Sequence, residues 1–244
     1  MIDRLGWVDR YVAGREDWVW HELRQLGSRV REPAFAPEAQ AVCDEMARRA
    51  RSNIETLVAR LREQGYRFHR NDDNQTPTEP HTPPGPGAEE HLHWLEQRLG
   101  PVPMVLSSWI RIVGDVWLVG THPQWPNSAA ADPLVLELAG SRYPDSDIRG
   151  YFADEFEAWQ EDQDTPFLLP VAPDQCHKDN VSGGGAYGVV LPDASADAHF
   201  VGEAGMPLVS YLNWAFRHGG FPAITGDEAQ WQVIHQLNED LHRL

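Results

Sequence analysis

The sequence predicts an α+β protein with a central, mostly antiparallel sheet flanked by helices and with an additional N-terminal helical segment. Helical patterns occupy both ends of the chain and short strand patterns fall in the middle. This order differs from the alternating βαβ order that is typical of parallel sheets. The 244 residues are 41% hydrophobic and include ten tryptophans, which is enough apolar surface for a substantial core.

Residues 1–70 are expected to form a helical segment that packs on the core. Apolar residues recur there at spacings of three and four, the period of a helix with one buried face. Glycines follow and prolines precede these runs, and they place the helix ends. The predicted elements are helices over 16–26 and 37–64, the second broken near 51–53, and a strand over 66–69.

Residues 71–88 are predicted to be an exposed Pro-rich linker or loop. They contain five prolines and almost no apolar side chains. Proline restricts the backbone and cannot donate a backbone hydrogen bond, so this composition disfavours both helix and central strand. The segment therefore separates the N-terminal helical segment from the remaining residues 89–244.

Residues 89–244 are predicted to form the α+β core, ending in a C-terminal helix. Gly100 and Gly114 stop two helices, and Asp227 provides an N-cap for the last helix. The predicted helices cover 89–99, 104–113, 151–162, 207–218 and the residues after Asp227. The predicted strands cover 115–120, 134–138, 167–171 and 187–191.

The net charge of −17 is distributed unevenly along the chain. Residues 1–70 hold 13 basic and 11 acidic residues, a net of +2, whereas residues 71–244 hold 7 basic and 26 acidic residues, a net of −19. Such an acidic body repels phosphates, so direct binding of nucleic acid is disfavoured. It attracts a basic protein, although acidity that serves only solubility is the alternative explanation.

The predicted helix over 151–162 is the candidate partner-binding surface. Its apolar stripe consists of Phe152, Phe156 and Trp159, and acidic residues fill the other positions. We interpret the acidic side as a landing surface for a cationic partner, with Trp159 as an anchor; the alternative is a solvated helix face. The candidate partner-binding residues are Asp154, Glu155, Glu157, Trp159, Glu161 and Asp162.

No run of residues has the length and apolarity of a membrane span or a signal peptide. We therefore expect a cytoplasmic protein that does not bind membranes. Cys43 and Cys176 are far apart in the chain and lack a CxxC pattern, so both are expected to be free thiols.

Catalytic chemistry is the second class of function considered. The loop Asp174–Asp179 contains a histidine and a cysteine, and together with His122 it suggests a hydrolase or a metal-dependent enzyme as an alternative. The chain lacks the HExxH, GxSxG and SxxK motifs, and the glycines at 183–185 precede a strand rather than a helix. We therefore assign no catalytic residue, no metal ligand and no cofactor.

Residues 89–120, EEHLHWLEQRLGPVPMVLSSWIRIVGDVWLVG, resemble the core of the SUKH superfamily, which includes a yeast regulator of cell-wall synthesis. The segment 214–222, WAFRHGGFP, is similar to a segment of bacterial members. The residues that carry this motif are Glu96, Leu99, Gly100, Pro103, Trp109, Gly114, Trp214, Gly219 and Gly220.

The resemblance implies a SUKH-like α+β fold and a binding function without shared catalytic residues. Many bacterial members are immunity proteins that neutralise toxins, often nucleases, so the expected partner is a basic protein toxin. A further alternative is a regulatory or scaffold protein that self-associates through the long Arg-rich helix, with Ile54 and Leu61 at the contact. The oligomeric state is left open.

Overall fold

The computed structural model describes residues 6–140, 147–161, 164–202 and 205–244. It confirms the α+β class, with antiparallel strands flanked by helices. The helices are α1 (Trp7–Val12), α2 (Glu16–Leu26), α3 (Ala36–Glu63), α4 (Ala88–Leu99), α5 (Met104–Ser108), α6 (Ile148–Glu161), α7 (Gln175–Lys178), α8 (Leu208–Arg217) and α9 (Glu228–Leu237). The strands are β1 (Arg67–Phe68), β2 (His81–Thr82), β3 (Asp115–Trp117), β4 (Gly120–Thr121), β5 (Val135–Leu136), β6 (Phe167–Ala172), β7 (Tyr187–Leu191), β8 (His199–Val201) and β9 (Met206–Pro207).

Helix α3 is the centre of the N-terminal half and runs unbroken for 28 residues, so the predicted break at 51–53 is wrong. Asn53 lies within the predicted break, is buried and has partners in the C-terminal tail. Its side chain donates to the carbonyl of His242 over 2.8 Å and accepts from the amide of His242 over 2.7 Å. Both the nitrogen and the oxygen of the buried amide thus have a partner, as buried polar groups generally do, and the helix continues through this position.

The apolar face of α3 packs against α1, α5 and the C-terminal helix α9. Ile54 and Leu61 on this face are 0% exposed. Both side chains are therefore covered by the core of the same chain and are not exposed for a contact with a second copy, while self-association itself stays a prediction.

The strands form three antiparallel sheets rather than one central sheet. β1 pairs with β4, β3 lies between β2 and β5, and the third sheet has the order β6-β7-β8-β9. The amide of Glu137 just after β5 donates to the carbonyl of Val171 in β6 over 2.8 Å. This hydrogen bond joins the second sheet to the third and places α6, which packs on β6, beside both.

Part of the segment 71–88 joins the second sheet. β2, which belongs to this segment, pairs with β3, and Pro80 is buried and accepts a hydrogen bond from the amide of Trp117 over 2.8 Å. Gly114 permits this close approach, because a Cβ atom there would lie 2.2 Å from the carbonyl oxygen of Thr82. Part of the Pro-rich segment therefore belongs to the second sheet, whose strands the sequence predicts only among the residues after 88.

The residues of the fold motif lie at element ends and in the core. Gly100, Gly114, Gly219 and Gly220 follow helices and all have positive φ, between +63° and +89°, which glycine adopts without strain. The other motif positions are half-buried or buried, and Trp109 is completely enclosed. These are Glu96, Leu99, Pro103, Trp109 and Trp214.

Within the four described ranges, no helix is long and apolar enough to cross a membrane.

Candidate functional site

Helix α6 presents a contiguous set of exposed carboxylates, as the sequence predicts. Phe152 is 0% exposed and fixes the helix on the core, which turns Asp154, Glu155 and Glu161 toward solvent. Glu161 lies two turns beyond Asp154 and therefore projects from the same side. We call Asp154, Glu155 and Glu161 the acidic face. Among the residues that the structure describes, no cation pairs with any of the three.

Two arginines neutralise carboxylates on the side of α6 that packs on α4. Arg98 pairs with Glu157, and Arg149 pairs with Glu90 over 3.0 Å. Arg149 is the only basic residue within α6, and its guanidinium also lies 5.9 Å from the ring centre of Trp94. Glu157 therefore forms an ion pair within the same chain, and Arg149 is turned away from the acidic face.

Trp159 is placed differently from its predicted role as an anchor. It is half-buried, and its ring centre lies 5.4 Å from that of Phe156 and 5.7 Å from that of Phe167. Its indole nitrogen donates to the carbonyl of Thr165 over 2.7 Å. Trp159 thus holds α6 against β6. Asp162, the last candidate on this helix, lies outside the described residues.

The exposed aromatic side chain on α6 is Tyr151, which is 46% exposed. It borders a cavity of about 240 Å³ between α6 and β6, which we call the Tyr151 slot. Burial and the nearby charge of Glu155 raise the pKa of Tyr151. The slot is lined by Glu137, Ile148, Tyr151, Phe152, Pro170, Val171, Ala172, Pro173 and Ala186.

The loop Asp174–Asp179 uses its side chains mainly for its own structure. Asp174 caps α7 by accepting from the amide of His177 over 2.8 Å, and its second oxygen lies 2.9 Å from His177 Nδ1. These hydrogen bonds hold the pKa of Asp174 below its usual value, although its partial burial opposes this shift. The following glycines pack over this cap, since a Cβ on Gly183 would lie 2.4 Å from the Cβ of Cys176.

His122, which the enzyme alternative combines with this loop, contacts other residues. Its Nε2 lies 3.1 Å from the side-chain oxygen of Gln64, and its Nδ1 accepts from the amide of Gln124 over 3.1 Å. Burial lowers the pKa of His122. His69, rather than His122, lines a cavity together with Lys178 and Asp179 of this loop, and the enzyme alternative stays a prediction.

His69, Thr121 and Lys178 line a polar cavity of about 310 Å³ beside the loop, and the sequence interpretation did not assign them to it. His69 Nε2 lies 2.9 Å from Thr121 Oγ1, a distance at which a base can activate a hydroxyl. The amides of Gln75 and Asn180 at its rim donate to carbonyls of their own loops, so neither is free to stabilise an oxyanion. The only signal for Lys178 was that it is the single lysine of the chain.

In the part of the chain that the structure describes, no group of three or more His, Cys, Asp or Glu side chains could hold a metal ion.

The comparisons with known proteins supply no relative from which a function could be transferred. No family model matches the chain, and no curated protein or solved structure is significantly similar to it. The resemblance to the SUKH superfamily stays a prediction, and the function has to be argued from the side chains of α6 and their surroundings.

Proposed function

We propose that this protein binds a cationic protein through the acidic face of α6 and acts as an immunity-type protein that neutralises a basic toxin. One observation carries the proposal: Asp154, Glu155 and Glu161 are exposed on one helix and lack cationic partners among the described residues. They belong to the region 71–244, whose net charge is −19.

The physical argument concerns both the rate and the selectivity of binding. Three carboxylates on one helix, without cationic partners among the described residues and within an acidic body, produce a negative potential that accelerates the encounter with a positive surface. The same potential repels nucleic acid, which carries one negative charge per phosphate. A protein of this kind therefore discriminates between a basic nuclease and the nuclease's own substrate.

A nuclease is the kind of toxin that best fits this chemistry. Its substrate cleft must be positively charged to hold phosphates, and an acidic helix complements such a cleft. Occupation of the cleft excludes the substrate without any bond being broken by the inhibitor. This function places the protein in the cytoplasm of the cell that it protects.

The experiment measures binding and inhibition with a panel of basic toxin nuclease domains and with one basic protein that is not a nuclease. We expect submicromolar binding to at least one nuclease and loss of its activity at equimolar inhibitor. Reversal of the acidic face in the variant D154K/E155K/E161K should weaken that binding about ten-fold or more at low salt.

The matched control is E63K/E228K/E239K, which changes the net charge equally at three exposed positions outside α6. It should retain most of the affinity and inhibition. Equal losses in the two variants would reduce the effect to net charge and contradict the assignment of α6. If no basic domain binds the unmodified protein, the proposed function itself is wrong.

A further inference from the structure

We infer that the Tyr151 slot receives an arginine or lysine side chain of the cationic partner and is the anchoring subsite of its complex. This inference rests on the proposed function, because it requires a partner that docks on α6. It goes beyond that function by naming the side chain that enters the protein and the residues that hold it.

The body of the slot is apolar. The accessible part of its lining includes the half-buried side chains of Ile148 and Pro173, the exposed ring of Tyr151 and the exposed methyl group of Ala186, which provide hydrocarbon surface between α6 and β6. Arginine and lysine carry three or four methylene groups below their charged heads, and such stems pack along apolar surface while the head stays near water. The slot therefore offers contact to the part of a cationic side chain that an open helix surface leaves in solvent.

The rim of the slot is negative and aromatic. Glu155 lies one turn after Tyr151, close enough for its charge to affect the ionisation of the phenol. The ring of Tyr151 is 46% exposed, and a cation over an aromatic face is attracted to the ring's quadrupole. A cationic head is thus met by a carboxylate and by a ring at the same place.

Among the described residues, Arg98 and Arg149 have their partners on the α4 side of α6. Arg149 pairs with Glu90 and covers Trp94, while Arg98 pairs with Glu157 and lies 5.8 Å from the ring centre of Phe156. Each of these arginines thus contacts both a carboxylate and an aromatic ring on the α4 side of α6. The slot offers the same two kinds of group to an incoming side chain. A neutral apolar side chain would fill the slot but would leave Glu155 without a counter-charge.

The experiment uses the full chain and two acetylated, amidated peptides of equal formal charge, hexa-arginine and hexa-(2,4-diaminobutyrate). The second peptide has stems of two methylenes, too short to fill the slot. Isothermal titration at about 150 mM salt should give about ten-fold tighter binding of hexa-arginine. Backbone amide signals of Val171, Ala172 and Ala186 should shift in NMR spectra with hexa-arginine only.

Substitutions then separate the slot from general electrostatics. Tyr151→Ala should lower hexa-arginine affinity about five-fold or more, to near that of the short-stemmed peptide, whereas Tyr151→Phe should retain at least half of it. Trp231→Ala removes an aromatic ring of similar exposure, 50%, on α9 and should change neither affinity.

The outcomes distinguish the two proposals. If Tyr151→Ala leaves the preference for hexa-arginine intact, or if only signals of the acidic face shift, the slot is not the subsite and the proposed function stands. If neither peptide binds the unmodified protein and the acidic-face reversal changes nothing, the proposed function fails and the subsite fails with it.

Discussion

Replacement of Lys178 by methionine tests how this protein uses its single lysine. The Lys178 side chain is 0% exposed, and its Nζ lies 2.5 Å from Asp132 Oδ1 and 4.7 Å from the ring centre of Tyr187. Burial lowers the pKa of Lys178, and the Asp132 carboxylate opposes that shift. Methionine retains the side-chain length but leaves the Asp132 carboxylate, which is 3% exposed, without its ammonium partner.

The expected cost follows from this geometry. Removal of one partner of a buried ion pair typically destabilises a protein by about 3–5 kcal/mol, which is a large part of a total stability of about 5–15 kcal/mol. For a chain of this size, we expect the melting temperature of Lys178→Met to fall by about 6–20 °C. Urea denaturation followed by tryptophan fluorescence gives the free energy of unfolding directly.

The double variant Lys178→Met/Asp132→Asn is the control. Asparagine tolerates the positive φ of +55° at position 132 and removes the uncompensated charge. It should therefore recover a substantial part of the lost stability. A Lys178→Met protein within about 1 kcal/mol of the unmodified one would refute the reasoning, since that pair could not then be an integral part of the fold.

Two further predictions concern titration and reactivity. Hydrogen bonds from Arg10 hold the pKa of Glu22 at about 2, below its usual value of 4.5. The contribution of Glu22 to the free energy of unfolding is thus fully present above pH 4.5 and is lost as the pH falls toward about 2. The difference in unfolding free energy between the unmodified protein and Glu22→Gln should shrink over that interval, and a constant difference would contradict the assignment. Ellman's reagent should label one thiol rapidly in the native protein, since Cys176 is exposed and Cys43 is 0% exposed. Rapid labelling of both thiols would contradict the burial of Cys43.

The helices could be predicted from the sequence because each has a local signal. Gly27 ends α2, and Asp227 caps α9 by accepting from the amide of Ala229 over 2.9 Å. Apolar spacing gave the buried face of α3 at Ile54 and Leu61. Its continuity through Asn53 could not be predicted, because the residues that satisfy the amide lie almost two hundred positions later in the chain.

The sheets could be predicted only in part. β6 and β7 are long enough to show a pattern, whereas β2 and β9 have two residues each, too few for any period to be recognised. The place of β2 depends on its pairing with β3 and on the close approach that Gly114 allows. Such pairing is non-local, and the high proline content of 71–88 predicts a loop rather than a strand.

The acidic character of α6 could be predicted from the sequence, but the packing of its aromatic side chains could not. Composition identifies α6 as acidic, and periodicity places Phe152 inside. Periodicity does not distinguish Trp159, which packs against Phe167, from Tyr151, which borders a cavity, because that difference depends on where β6 lies. The pairing of Glu157 with Arg98 of α4 is likewise visible only in three dimensions.

The association rate with a basic nuclease domain, measured by stopped flow as a function of ionic strength, tests the central claim most directly. If α6 steers a cationic partner, the rate of the unmodified protein should fall steeply between about 25 and 300 mM salt. The rate of D154K/E155K/E161K should be low and nearly independent of salt, while E63K/E228K/E239K should keep most of the slope. Identical slopes for the two variants would contradict the claim that the acidic face of α6 is the binding surface.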